Sequence, residues 1–326
     1  MGKMKWNQLL IGLAVLVLCI VPFVSDSRTL IILITQIFIF AILAMSYDIL
    51  LGYTGIVSFG HAMFFGIGAY TSAIMLKEFE PSMLFFIISI IVGIVIAGII
   101  SFIIGLLTLR LQSHYYAMFT LAVSGLFLVA AEKWRSLTYG NDGFTFKAPE
   151  LFTDRTTFYF VVLVVLVLIY FLLNLFVKSP FGTVLIAVKE NERRTAALGY
   201  KTIYYKVVSS IVAGVVASIA GSLYVISLRF VNTSVMDIDI TLNSLLMTII
   251  GGVGTLTGPI IGAAIIELAQ HNLSNLAKFH VLFERWIIIF GIIYILAVIF
   301  FPKGVVGTIR DVVNRRKKKQ VTKKVG

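Results

Sequence analysis

The chain has 326 residues, of which 59% are hydrophobic and only 13% charged, with a mean hydropathy of +1.01. A soluble domain is about half apolar and a quarter charged, so this composition excludes a water-soluble globule and requires a membrane. The formal net charge of +12 collects between Lys178 and Lys206 and in the tail after Pro302, beside apolar runs as the positive-inside rule demands, and with no aromatic-interleaved basic platform it excludes nucleic acid as a partner.

Apolar runs fall near 9–24, 29–51, 59–76, 82–109, 115–131, 157–177, 204–228 and 285–301. The first, with Lys3 and Lys5 ahead of it, has the outline of a signal peptide. Ser25-Asp26-Ser27-Arg28 is a poor cleavage site, however, and further spans follow directly, so a retained helix is predicted. It holds the single cysteine, Cys19, which leaves no intramolecular disulfide and no Cys-based metal site. With a cytoplasmic N-terminus, successive crossings put Lys189, Arg193, Arg194 and Lys201 inside, as expected of basic residues. The loop 132–156 then faces outside, where Lys133, Arg135, Lys147 and Arg155 are balanced by Glu132, Asp142, Glu150 and Asp154.

The basic tail also belongs inside, including its run Arg315, Arg316, Lys317, Lys318, Lys319. The stretch 241–270 must therefore start and finish outside and cannot be one crossing. It is interrupted at Gly251-Gly252-Val253-Gly254-Thr255-Leu256-Thr257-Gly258-Pro259, which leaves two arms of about a dozen residues, short for full spans. The break is either a pathway-lining broken helix pair or an ordinary turn between two short tilted helices. Small residues at four-residue spacing, Gly214, Ser218 and Ser222 in one helix and Gly258 with Gly262 in another, predict close helix contacts. The expected fold is an all-α polytopic membrane protein with about eight full spans plus the broken or re-entrant pair, about ten membrane segments in all. Its permease-like membrane domain covers 1–302, with a cytoplasmic loop at 178–203, and a basic cytoplasmic tail covers 303–326.

Ionisable groups in apolar surroundings are expensive and are functional candidates by default. Asp48 closes the second run and His61 opens the third. Each has an ordinary alternative: solvation at an interface for Asp48, and a packed, hydrogen-bonded imidazole for His61. His114 reads as a loop residue at the surface, and Glu267 reads as reaching the outer interface near His271. Gln36 and Asn243 are placed to hydrogen-bond between helices. The chain carries no G-x-x-x-x-G-K-[ST] phosphate cradle and no triad, paired-carboxylate site or metal-spaced cluster. It reads as no enzyme, with no metal or cofactor of its own.

Four segments in order along the chain are similar to the branched-chain amino acid importer permeases of the LivM type. The first runs from Leu50-Leu51-Gly52-Tyr53-Thr54-Gly55-Ile56-Val57-Ser58-Phe59-Gly60-His61-Ala62 to Phe65-Gly66-Ile67-Gly68-Ala69-Tyr70-Thr71. The second is Leu109-Arg110-Leu111 with Tyr115-Tyr116-Ala117-Met118-Phe119-Thr120-Leu121-Ala122, closer to the LivM half than to its LivH-type partner, followed by Tyr139-Gly140-Asn141-Asp142-Gly143. The third runs from Ser179-Pro180-Phe181-Gly182 through Ala187-Val188-Lys189-Glu190-Asn191-Glu192 to Ala197-Leu198-Gly199. The fourth is Gly251 to Pro259, closing with Pro302-Lys303-Gly304-Val305-Val306-Gly307.

This resemblance implies a type II importer permease-like bundle in a bacterial cell membrane, with both termini cytoplasmic. The implied assembly adds a second, LivH-type permease, two ATP-binding subunits that hold ATP and Mg, and an extracytoplasmic binding protein. It implies that 178–203 is the coupling segment, with an amphipathic stretch near 183–198 docking on the ATPase. There Glu192, Ala197 and Gly199 match the family pattern, with Arg193 beside them, while Arg194-Thr195-Ala196 replaces the Glu-Ala-Ala of related coupling loops. Candidates for the translocation path are Asp48, Gly52, Gly55, His61, Gly251, Gly252, Gly254 and Pro259. The expected cargo is leucine, isoleucine or valine. Urea or a short amide is the alternative within the family, and an ATP-independent secondary transporter is the alternative outside it.

Overall fold

A computed structural model describes residues 12, 16–24, 27–108, 113–276, 291, 295 and 304–308. The predicted run 285–301, Leu109-Arg110-Leu111, the side chain of His114 and the tail beyond 308 lie outside the described residues. Residues 16–24 are helical. After them come α1 (Arg28–Asp48), a π-helical turn (Ile49–Thr54), α2 (His61–Glu78), α3 (Met83–Thr108) and α4 (Ser113–Lys133). A short α5 (Arg135–Thr138) and β1 (Phe144–Thr145) lead to α6 (Arg155–Lys178), α7 (Pro180–Glu190), α8 (Glu192–Ala197) and α9 (Thr202–Leu228). The order closes with β2 (Phe230–Val231), α10 (Ile238–Gly251) and α11 (Thr257–Leu276). Among the described residues, five helical segments are long and apolar enough to cross a membrane: Arg28–Thr54, Met83–Leu107, Tyr115–Lys133, Arg155–Lys178 and Thr202–Leu228. This is a multi-pass, all-α membrane protein, and its only sheet is the antiparallel pair β1–β2 among the described residues.

The bundle is organised around α1, which packs on α6, α9, α10 and α11 and is buried continuously from Ile37 to Asp48. The outer helices invert the pattern of a soluble protein. On α3 the side chains of Leu84, Ile87, Ile88, Ile91, Val95, Ile99 and Leu106 are exposed at helical spacing, and on α6 Val164, Val167, Leu168, Phe171 and Leu175 are exposed. Surfaces of this kind suit lipid, which is as apolar as leucine and provides no drive to bury them. Close packing therefore has to hold the bundle, and small residues supply it. A Cβ added to Gly68 of α2 would overlap the Ser218 carbonyl of α9, and one on Gly221 would overlap the Phe65 carbonyl. The Ser222 hydroxyl donates to the Gly68 carbonyl at 3.0 Å across that same contact.

Four expectations need correction. Glu267 is buried within the bundle rather than reaching the outer interface. His114 lies in the first turn of α4 rather than in a loop. The stretch 183–198 is not one helix: it divides at Asn191, whose backbone is extended (φ −159°) and whose side chain caps α8 by accepting from the Arg194 amide at 2.9 Å. The arms of the 241–270 break are unequal, 14 residues in α10 and 20 in α11. They form an antiparallel hairpin. Gly262 lies against the Met247 backbone and Gly251 against the Gly258 carbonyl, while the Gln270 amide nitrogen reaches Asn243 Oδ1 at 3.5 Å near the open end.

Candidate functional site

The hairpin turn is made by backbone that only glycine adopts freely. Gly252 has φ +127° and Gly254 φ +76°, and Leu256 is held at φ +48° between them and α11. These conformations turn the peptide amides of the tip to one side. There they meet the end of α1. Asp48, fully buried, accepts from the Gly254 amide at 2.7 Å through Oδ1 and from the Leu256 amide at 3.2 Å through Oδ2. One turn earlier, the Thr248 hydroxyl of α10 donates to the Ala44 carbonyl at 3.1 Å, a second tie between hairpin and α1.

Beyond Asp48 the helix widens into the π turn, which ends at Gly55 with φ +71°. A widened turn frees carbonyls from the regular i→i−4 ladder and is often found at functional sites. The Gly52 carbonyl accepts from Lys189 Nζ, the end of α7, at 2.7 Å. A Cβ on Gly52 would collide with the Asp48 carboxylate and with the Gly254 nitrogen, and one on Gly55 would press on the Lys189 side chain. Gly304, at the start of the last described helical stretch, packs on Gly252. Asp48, Gly52, Gly55, Gly251, Gly252 and Gly254, drawn from two distant segments, thus form one close-packed junction, buried at Asp48, Gly52, Gly251 and Gly252 and exposed at Gly55. Pro259 stands in the first turn of α11, where a missing amide costs no helical hydrogen bond.

His61 is elsewhere. It opens α2 fully buried, with Nε2 2.7 Å from the Ser46 hydroxyl and its ring edge-on to Tyr47, and its Nδ1 has no partner. Around it the Ala62 amide donates to Thr241 Oγ1 of α10 at 2.8 Å and the Phe59 amide to Thr120 Oγ1 of α4 at 3.1 Å. The Thr241 hydroxyl thus satisfies a first-turn amide of α2, a role usually taken by the residue ahead of a helix, and the Thr120 hydroxyl satisfies the amide of Phe59 just before it.

The segment from α6 to α9 is a rigid elbow. Ser179 caps α7 by accepting from the Gly182 amide at 3.3 Å, and Pro180 occupies its first position. Gly182 lets α7 fold back against the Val177 backbone of α6. Glu192 is tied to α9: its carboxylate accepts from Lys206 Nζ at 2.6 Å and from the Thr202 hydroxyl at 3.2 Å. Arg193, Arg194, Ala196, Ala197, Leu198 and Gly199 point away from the bundle, Leu198 with 73% of its surface exposed. Gly199 sits at φ +91° with open space around it. Of the coupling candidates, Glu192 holds the elbow in place, while Arg193, Ala197 and Gly199 form its outward surface.

Sequence reasoning missed Lys189 as a site residue. It lies four residues after buried Leu185 and beside buried Val188, so it falls on the apolar stripe of an amphipathic helix. A lysine there was the available signal. Ser46, Thr120 and Thr241 left no signal, since a lone hydroxyl in an apolar run is common.

The chain matches the family described as branched-chain amino acid transport system, permease component, over residues 29–299. It is 24% identical to the high-affinity branched-chain amino acid transport system permease proteins LivM of Salmonella typhimurium and of Escherichia coli, aligned over 91% of this chain and 75% of each of those. It is 22% identical to a probable branched-chain amino acid transport permease protein LivM of Methanocaldococcus jannaschii, over 82% of this chain and 90% of that one. No solved structure matches it. With a family match running from the start of α1 to residue 299, and the glycine-rich segments that carried the resemblance meeting at one junction, this chain belongs to the branched-chain amino acid transport system permease family.

Proposed function

We propose that this chain is the LivM-type half of the pore of an ATP-binding-cassette importer, moving leucine, isoleucine or valine across a bacterial cell membrane by alternating access. An extracytoplasmic binding protein delivers the amino acid, a LivH-type permease completes the pore, and two ATP-binding subunits drive it. The sequence has no phosphate cradle of its own, so ATP and Mg belong to those subunits. The basic residues Lys178, Lys189, Arg193, Arg194, Lys201 and Lys206 put the elbow on the cytoplasmic side by the positive-inside rule. Both termini then lie on that side, and the hairpin enters from and returns to the outside.

The single observation that carries the reading is the elbow itself. A short capped helix pair, fixed at one end by Glu192 and presenting Ala196, Ala197, Leu198 and Gly199 outward, is a small apolar knob of the kind a groove on another protein takes in. The deciding experiment is uptake of labelled leucine into proteoliposomes that hold this chain, the partner permease, both ATPases and the binding protein. Uptake that requires ATP and is competed by isoleucine and valine supports the proposal. Competition by urea alone reassigns the cargo to a short amide, and ATP-independent uptake makes the chain a secondary transporter.

A further inference from the structure

Asp48 just ahead of the π turn bonds the hairpin tip, and Lys189 of the elbow bonds the Gly52 carbonyl within the turn. Asp48 reaches the hairpin tip, with Oδ1 2.7 Å from the Gly254 amide and Oδ2 3.2 Å from the Leu256 amide. Lys189 reaches back from the elbow to the Gly52 carbonyl at 2.7 Å. The tip amides form the kind of backbone concavity that holds an anion, and the carboxylate fills it with one oxygen for each amide. Leu256 remains at φ +48°, a conformation disfavoured for a non-glycine residue that persists only where its surroundings impose it. Gly52 lies between the two cross-links, and it has no side chain because the Asp48 carboxylate occupies that space.

We propose that Asp48 and Lys189 form a two-part latch that couples the elbow to the hairpin, holding the elbow end of the pathway shut until the elbow moves. The proposal rests on the reading of the elbow as the ATPase-docking element. α7 is a short rigid lever, capped at Ser179 and anchored on the bundle by buried Leu185 and Val188. Its displacement draws Lys189 Nζ from the Gly52 carbonyl. The π turn is already out of the regular helical ladder, and without that bond it is free to shift against the hairpin. The turn carries Asp48 with it, the Gly254 and Leu256 amides lose their acceptor, and the glycine-rich tip is released from α1. Both residues are positioning residues: they set which conformation the pathway occupies.

The test uses the assembled transporter in inside-out vesicles with Cys19→Ser. Met247→Cys, buried behind the tip, reports access from the elbow side by its rate of labelling with a membrane-impermeant maleimide. Replacing the carboxylate by an amide leaves one tip amide without an acceptor, and lost charge-assisted bonds of this kind shift an equilibrium by about tenfold or more. Asp48→Asn and Lys189→Met are each expected to raise the labelling rate without ATP by about tenfold, and to raise the ATP hydrolysed per leucine imported. Lys189→Arg, which keeps a donor, is expected to restore both. The double variant should be no worse than the worse single one, because the two links act in series. Unchanged labelling in Asp48→Asn overturns the proposal, and so do additive effects in the double variant. A cross-link from Leu198→Cys to the ATPase tests the docking reading by itself: without it that reading fails, while the labelling rates still decide the latch.

Discussion

Gly199 occupies φ +91° with nothing near its hydrogen atoms, so the site has room for a side chain but not the backbone for one. A residue with a Cβ is strained there by about 1–2 kcal/mol, and an aspartate adds negative charge to a surface made basic by Arg193 and Arg194. Gly199→Ala isolates the strain, and Gly199→Asp adds the charge. We expect both variants to insert and to keep the Glu192–Lys206 ion pair, since Glu192 opens α8 and Gly199 lies beyond its other end. ATP-coupled uptake should fall modestly in the first and be lost in the second. Wild-type uptake by Gly199→Asp would remove this residue from the coupling surface. At this scale the sequence was informative wherever chemistry is unusual for its surroundings. A carboxylate at Asp48 and glycines at 251, 252 and 254 stood out because apolar runs rarely contain them, whereas the partners of Asp48 are backbone amides and no side-chain pattern announces them.

Elements built by lipid-facing periodicity were legible almost to their ends. α3 and α6 match the predicted runs 82–109 and 157–177 closely, because continuous apolar side chains leave a helix as the one way to satisfy the backbone in a membrane. The division between α7 and α8 was not legible, because a single asparagine within an amphipathic stretch is compatible with continuing or stopping; in the fold its extended backbone ends α7 and its side chain caps α8. Two elements give direct tests. In the hairpin, a Cβ on Gly262 would press into the Met247 carbonyl. Overpacking of this kind costs about 1–3 kcal/mol, and backbone gives way less readily than a side chain. Gly262→Ala should therefore lower the thermal unfolding temperature, read by tryptophan fluorescence in detergent, and Gly262→Leu should prevent assembly.

At the start of α6, Asp154 accepts from the Thr156 and Thr157 amides and from the Thr157 hydroxyl, at 3.2, 3.0 and 2.8 Å. The Thr157 hydroxyl is the main cause that holds its carboxyl below the ordinary range, with the Thr157 and Thr156 amides next. A depressed value in the folded state means that the cap contributes fully above the unfolded carboxyl's range and is lost as pH falls through the folded value. Acidification should therefore destabilise the parent chain more than Asp154→Asn, which keeps an oxygen acceptor but has no proton to gain. Equal acid sensitivity of the two in a thermal unfolding series would show that the cap does not contribute.

Taken whole, the molecule has two ends, and at each of them segments distant in sequence meet. One end holds the pairing of β1 with β2, Lys77 Nζ 3.3 Å above the Tyr139 ring, and Arg229 donating to the Phe152 and Thr153 carbonyls. At the other end are the π turn, the hairpin tip and the elbow. A hairpin whose tip meets the elbow end must open toward the opposite end. α10, at 14 residues, rises about 21 Å, and α11, at 20 residues, about 30 Å, so α11 is long enough to cross the roughly 30 Å hydrocarbon core. Parity of charge demanded that 241–270 begin and finish on one side, and the antiparallel packing of Gly262 on Met247 gives the physical form. Single cysteines on a Cys19→Ser background test the arrangement in right-side-out vesicles. Asp142→Cys and Asn272→Cys, both exposed, should react with a membrane-impermeant maleimide added outside, and Leu198→Cys should react only after the vesicles are opened. If Asn272→Cys labels with Leu198→Cys instead, the hairpin is a true crossing. The tip could then not return α11 to the outer side, and the contact between Asp48 and the tip would have to be broken in the membrane.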